Sequence, residues 1–113
     1  MADIKELRRD IDSVDRVLVA YLCRRLEIVR EIGAYKAERK LPVLDAAREE
    51  EKLKAVRVLA GGDAADYCEA VFREILAASR EAQKDIFALQ VTPVPNTRCL
   101  ARASDINQPV YEP

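Results

Sequence analysis

Apolar residues recur along the first third of the chain at Ile4, Leu7, Ile11, Val14, Leu18, Tyr21, Ile28, Ile32 and Tyr35, in steps alternating between three and four. That rhythm predicts an amphipathic helix packed along its whole length. The beat due between Tyr21 and Ile28 falls on Arg25, and an arginine in an apolar seam is costly unless an anion meets it. Asp3 can cap the start, no proline interrupts, and Pro42 sets the stop at about Leu41. About 36 residues at 1.5 Å each make roughly 54 Å, whereas a compact chain of this size is roughly 35 Å across. The helix would leave its apolar seam bare, and a second copy of the chain is the simplest cover.

After Leu41-Pro42-Val43, Asp45 can cap a second helix that runs to Leu59 or Ala60, with Leu53, Val56, Leu59 and Ala60 as its inner face. Gly61-Gly62 ends it, and Asp63 or Asp66 can start a third helix reaching about Phe87. The stripe of that helix reads Cys68, Val71, Phe72, Ile75, Leu76, Ser79, Ala82, Gln83, Ile86. Nothing before residue 90 alternates as a strand does, so the expected fold is all-α, with three helices and the first very long. From Gln90 onward the helical period stops and four of the five prolines appear. This segment is expected to be an irregular or disordered tail, or else to pack on a neighbouring subunit or modulate the site.

Composition narrows the function. Nineteen basic and twenty acidic residues nearly balance, and no basic block suggests nucleic acid. No apolar run is long enough to span a membrane, and the charged start does not resemble a signal peptide, so a cytoplasmic protein is expected. Three cysteines without metal spacing, and no histidine at all, make a zinc site an unsuitable reading; Cys23 and Cys68 are expected to be small core residues. No metal and no cofactor is anticipated.

Four polar residues stand where apolar ones belong. Arg25 interrupts the seam, and Lys36, eleven positions later, returns to within about 20° of the same face. Ser79 and Gln83 occupy adjacent turns of the third helix's stripe. Two cations and two neutral hydrogen-bonding groups aimed at an interior suggest a pocket for a small anion; the alternative is a buried salt bridge from Arg25 to a helix-2 glutamate, with Ser and Gln satisfied by backbone. Asp45, Arg48 and Glu49 lie in the first turns of helix 2, a pattern that capping and ion pairing also produce. Arg8 is about 25 Å from Arg25 along one helix, so the two can serve one small ligand only across an antiparallel dimer. Gly33, mid-helix, would let another helix or the ligand come close to the backbone.

These residues, in this order, resemble the all-helical class (type II) of chorismate mutase over about residues 4 to 87. The pattern is L-R-x-x-I-D-x-x-D from Leu7 to Asp15, R-R at Arg24-Arg25, G-x-x-K from Gly33 to Lys36, P-V-x-D-x-x-R-E from Pro42 to Glu49, and S-x-x-x-Q from Ser79 to Gln83. The resemblance implies a helical domain over 1–89, an intertwined homodimer with shared active sites, and the cofactor-free conversion of chorismate to prephenate in phenylalanine and tyrosine biosynthesis. It further implies that Arg25 and the other copy's Arg8 bind carboxylates, that Lys36 and Gln83 donate to the ether oxygen, that Glu49 with Asp45 holds the ring hydroxyl, and that Arg48 and Ser79 complete the carboxylate site. The connection between helices 2 and 3 is short for the family, and the segment 90–113 has no counterpart in the core pattern. Isochorismate-pyruvate lyases share this scaffold and resemble the chain at the arginines and the lysine but not at Glu49 and Ser79. A non-catalytic helical dimer serving a shikimate-pathway enzyme is the remaining alternative, and such an enzyme could also be a partner of an active mutase.

Overall fold

The computed structural model describes residues 2–89; the expectations for 90–113, including Cys99, lie outside them. Helix α1 spans Ile4–Glu38, α2 Ala46–Ala60 and α3 Ala64–Leu89, and the described residues contain no strand. The expected all-α, three-helix order is present. None of these helices is long and apolar enough to cross a membrane.

The ends of the helices follow from local chemistry. Asp3 caps α1, its carboxylate accepting from the Glu6 N–H at 2.9 Å, which satisfies one of the amide groups left over at a helix start. The other end comes a little before Leu41. Lys40 adopts φ 57°, its N–H donates to the Ala37 carbonyl, and the Leu41 N–H donates to the Lys36 carbonyl at 2.8 Å. This pair of bonds is a left-handed helix cap of the kind glycine usually makes. The chain has therefore turned before Pro42 is reached. Asp45 caps α2 by accepting from the Arg48 N–H at 3.0 Å. Gly61 (φ 67°) and Gly62 (φ 52°) take the left-handed turn that ends it. Because α3 begins at Ala64, Asp66 is not a starting residue but lies in the first turn.

The chain divides into two compact units between Ile28 and Val29. In the first, the α1 seam is bare. Ile4 and Ile11 are each 58% exposed, and Leu7, Leu18 and Tyr21 each 50%. In the second, the end of α1, all of α2 and all of α3 supply the buried residues Val29, Val56, Ala65, Leu76 and Ile86. Helices α2 and α3 pack together across the Gly61-Gly62 turn. Arg57 ties that end by donating to Asp66 at 2.7 Å and Glu69 at 3.0 Å. Leu59, expected on the inner face of α2, is 85% exposed. The buried face runs through Leu53, Val56 and Ala60, and Leu59 stands one residue off it at 100° per residue. Cys23 and Cys68 are half-buried rather than core.

Candidate active site

In the second unit, Gly33 brings α1 and α3 together. A Cβ built on it would lie 3.2 Å from the Gln83 Cα and 3.3 Å from its Cγ, tighter than ordinary van der Waals contact, so glycine permits this approach without displacing α3. One helical turn after Gly33, the Lys36 ammonium donates to Gln83 Oε1 at 2.9 Å and to the Val43 backbone carbonyl at 2.7 Å. Two of its three N–H groups are thereby directed, which fixes a flexible side chain. Gln83 is buried. With its oxygen turned to a cation, the amide presents its NH2 group as a donor. The ammonium and this amide are adjacent donors held by the packing of two helices.

Glu49, in the first turn of α2, receives a hydrogen bond from Arg80 on α3, both side chains half-buried. Arg48 points elsewhere, to Glu51 at 2.8 Å on an exposed face. Asp45 is exposed and serves as the helix cap. The Ser79 hydroxyl donates to the Ile75 carbonyl at 2.7 Å, a bond it must exchange before it can donate to a ligand. Of the residues singled out in sequence, the structure thus joins Lys36 directly to Gln83 and places Gly33 against Gln83. It engages Glu49 with Arg80, a residue the sequence pattern did not single out.

Arg8 and Arg25 belong to the first unit. Arg8 is exposed, and Arg25 is half-buried. Burial pushes the Arg25 guanidinium below the usual arginine range, though arginine remains protonated throughout ordinary pH and a desolvated cation attracts anions more strongly. Two residues on, Glu27 is buried, with one carboxylate oxygen bonded by Arg24 at 3.1 Å and the other without a donor. Periodicity could not mark Glu27, since the seam does not include it. Among the described residues no histidine, cysteine or carboxylate group is arranged to hold a metal ion.

The described residues thus make an all-helical protein in which the packing of α1 on α3 holds two donors, Lys36 and Gln83, side by side. The chain belongs to the chorismate mutase type II family, whose model matches residues 7–84. It is 38% identical over 81 residues to the T-protein of Haemophilus influenzae, covering 70% of this chain and 22% of the relative. It is 36% identical over 87 residues to the T-protein of Enterobacter agglomerans, covering 75% and 23%. A protein of Aquifex aeolicus named bifunctional chorismate mutase/prephenate dehydratase is 29% identical over 91 residues, covering 76% and 25%. The chain spans about a quarter or less of the length of these curated relatives. No solved structure matches significantly.

Proposed function

We propose that this chain converts chorismate to prephenate, without a cofactor, as a step of aromatic amino acid biosynthesis. Family membership and the relative named for mutase activity support the reaction. The observation that carries it in this chain is the Lys36–Gln83 pair. In the rearrangement the ether C–O bond breaks as a C–C bond forms, and negative charge gathers on the ether oxygen. Lys36 and the Gln83 amide donate to that oxygen, and donors fixed beforehand need no reorganisation as the charge develops. Arg25, with Arg8 of a second copy, takes the two carboxylates and selects the folded substrate conformer. Glu49, assisted by Asp45, accepts from the ring hydroxyl, while Arg48 and Ser79 complete carboxylate binding by exchanging their present bonds to Glu51 and to the Ile75 carbonyl for the substrate. Glu49 and Ser79 favour the mutase over an isochorismate-pyruvate lyase.

The working form is an antiparallel homodimer through α1. From Ile4 to Ile28 the spacing of its seam is symmetric. Ile4 pairs with Ile28, Leu7 with Arg25, Ile11 with Tyr21 and Val14 with Leu18, each pair placed symmetrically about Arg16. A spacing of threes and fours that is the same in both directions allows two antiparallel copies to pair about a two-fold axis, and a register centred near Arg16 is the one that serves both arginines. Ile4, Leu7, Ile11, Leu18, Tyr21 and Ile28 are all exposed within the single chain, and such an apolar stripe calls for a partner surface. The same register sets the Arg8 region beside Arg25 of the other copy. The prephenate formed would pass to a dehydratase or dehydrogenase, carried by a partner enzyme or acting separately.

The test is an assay of the purified protein with chorismate and with isochorismate. Prephenate formation, lost by roughly 100-fold or more in Gln83→Ala, is expected, in line with about 3 kcal/mol for a donor to transition-state charge. Pyruvate released from isochorismate as the main activity would assign the chain to the lyases instead.

A further inference from the structure

We propose that Arg80 is a positioning residue of this site, holding one oxygen of Glu49 so that the other accepts the substrate's ring hydroxyl. This rests on the reading of Glu49 given above. The geometry comes from two helices. Arg80 lies between Ser79 and Gln83 on α3, one turn before Gln83 and about 60° around the helix from it. Its guanidinium donates to Glu49 Oε1 on α2. The bond therefore ties the first turn of α2 to the stretch of α3 that carries Gln83, and Gln83 is in turn held by Lys36 of α1. Arg48, the cation next to Glu49 in sequence, is committed to Glu51 and leaves the task to Arg80.

A glutamate has three side-chain torsions, and a half-buried one at a helix start can turn out to solvent. One charge-assisted bond to a side chain on a neighbouring helix removes much of that freedom while leaving the second oxygen's lone pairs for a hydroxyl donor. A partly exposed ion pair of this kind contributes little to folding, so the effect of Arg80 should appear in substrate recognition rather than in stability. The hydroxyl contact exists in bound substrate and in transition state alike, and loss of such uniform binding raises KM more than it lowers kcat.

The experiment measures chorismate kinetics and thermal stability for Arg80→Met, Arg80→Lys, Glu49→Ala and the Arg80→Met/Glu49→Ala double variant of the full chain. Arg80→Met is expected to raise KM about tenfold with kcat within about threefold and the melting temperature nearly unchanged. Arg80→Lys should recover most of the loss, and in the double variant Arg80→Met should add almost nothing to Glu49→Ala. Should methionine prevent folding, Arg80→Gln repeats the measurement with a polar neutral side chain. Wild-type KM in Arg80→Met beside an impaired Glu49→Ala overturns the role of Arg80 alone. Losses that multiply in the double variant overturn it too, since Arg80 would then act apart from Glu49. Wild-type kinetics in Glu49→Ala instead removes the underlying assignment of Glu49, and the positioning role with it.

Discussion

Gly33→Ala sets two effects of known size against each other. Alanine in a helix interior is better than glycine by about 1 kcal/mol, so on α1 alone the change should stabilise. The added methyl, however, would sit 3.2 Å from the Gln83 Cα and 3.4 Å from its Cβ. The nearest of these is a backbone atom, so no rotamer change relieves it, and the helices must move apart by a few tenths of an ångström. Overpacking of this sort costs about 1–3 kcal/mol, which leaves a net destabilisation of about 0–2 kcal/mol. For a domain of this size that amounts to a fall in melting temperature of up to about 10 °C. Catalysis should suffer more than stability. The displaced residue is Gln83 itself, whose bond to Lys36 at 2.9 Å sets both donors, and a misplacement of about 1 Å can cost 100-fold. A shift of a few tenths should lower kcat by about three- to tenfold. The measurement is thermal unfolding at fixed protein concentration together with steady-state kinetics. Removing the Gln83 side chain in a Gly33→Ala/Gln83→Ala variant should restore only part of the stability, because the added methyl still presses on the α3 backbone at position 83. Gly33→Ala that is more stable by the full helical gain and kinetically unchanged would refute the close approach as the reason for glycine here.

Three further outcomes are expected. Lys40→Gly should stabilise the fold by about 0.5–1 kcal/mol in denaturant unfolding, because Lys40 holds a left-handed conformation that glycine adopts without strain. Acid stability should depend on Glu69, whose carboxyl the Arg73 bond and then the Arg57 bond hold below the usual carboxylate range. A carboxylate with a lower folded than unfolded pKa stabilises above the unfolded value and loses that contribution as pH falls through the folded one, so Arg57→Gln/Arg73→Gln should show a shallower loss on acidification, and a curve parallel to wild type would count against the pairing. Finally, inactive Arg8→Ala and Arg25→Ala subunits, mixed under conditions of proven exchange, should regain activity, since one site of the mixed dimer carries neither lesion; no recovery would argue against shared sites.

Much of this architecture is legible from local signals. Asp3 and Asp45 announce helix starts because a capping carboxylate acts within three residues, and both make the expected bonds. Lys36 and Gln83 stand out because a polar residue on an apolar stripe is costly unless paired, and they pair with each other. Where the deciding contact is remote, the pattern is silent. Arg80 lies beside a buried stripe and reads as a solvated cation until α2 brings Glu49 to it. The end of α1 falls at Glu38, with a left-handed cap at Lys40 just ahead of Pro42, and lysine carries no preference that advertises such a cap. Leu59 looks like core because it is apolar and one turn from Val56, yet it falls outside the arc that α3 covers.

The division of the chain at Ile28 gives these observations a common cause. The unit from Val29 onward buries a small core of its own and holds the Lys36–Gln83 donors in place with residues from a single copy. The unit before it consists of one helix among the described residues, and although Ala20 and Glu27 are buried, the seam residues Ile4, Leu7, Ile11, Leu18 and Tyr21 stay exposed. On the reading proposed above, the carboxylate-binding arginines Arg8 and Arg25 lie on that helix about 25 Å apart, at nearly equal distances on either side of Arg16. Antiparallel pairing then covers the seam and brings each Arg8 toward the other copy's Arg25 in one step. The cation inserted in the seam costs stability in the dimer, but it is located where the pairing can supply an anion's second clamp. Dimerisation and carboxylate binding would therefore depend on the same residues, and a chain that could not pair would retain its donors while losing half its grip on a dianion.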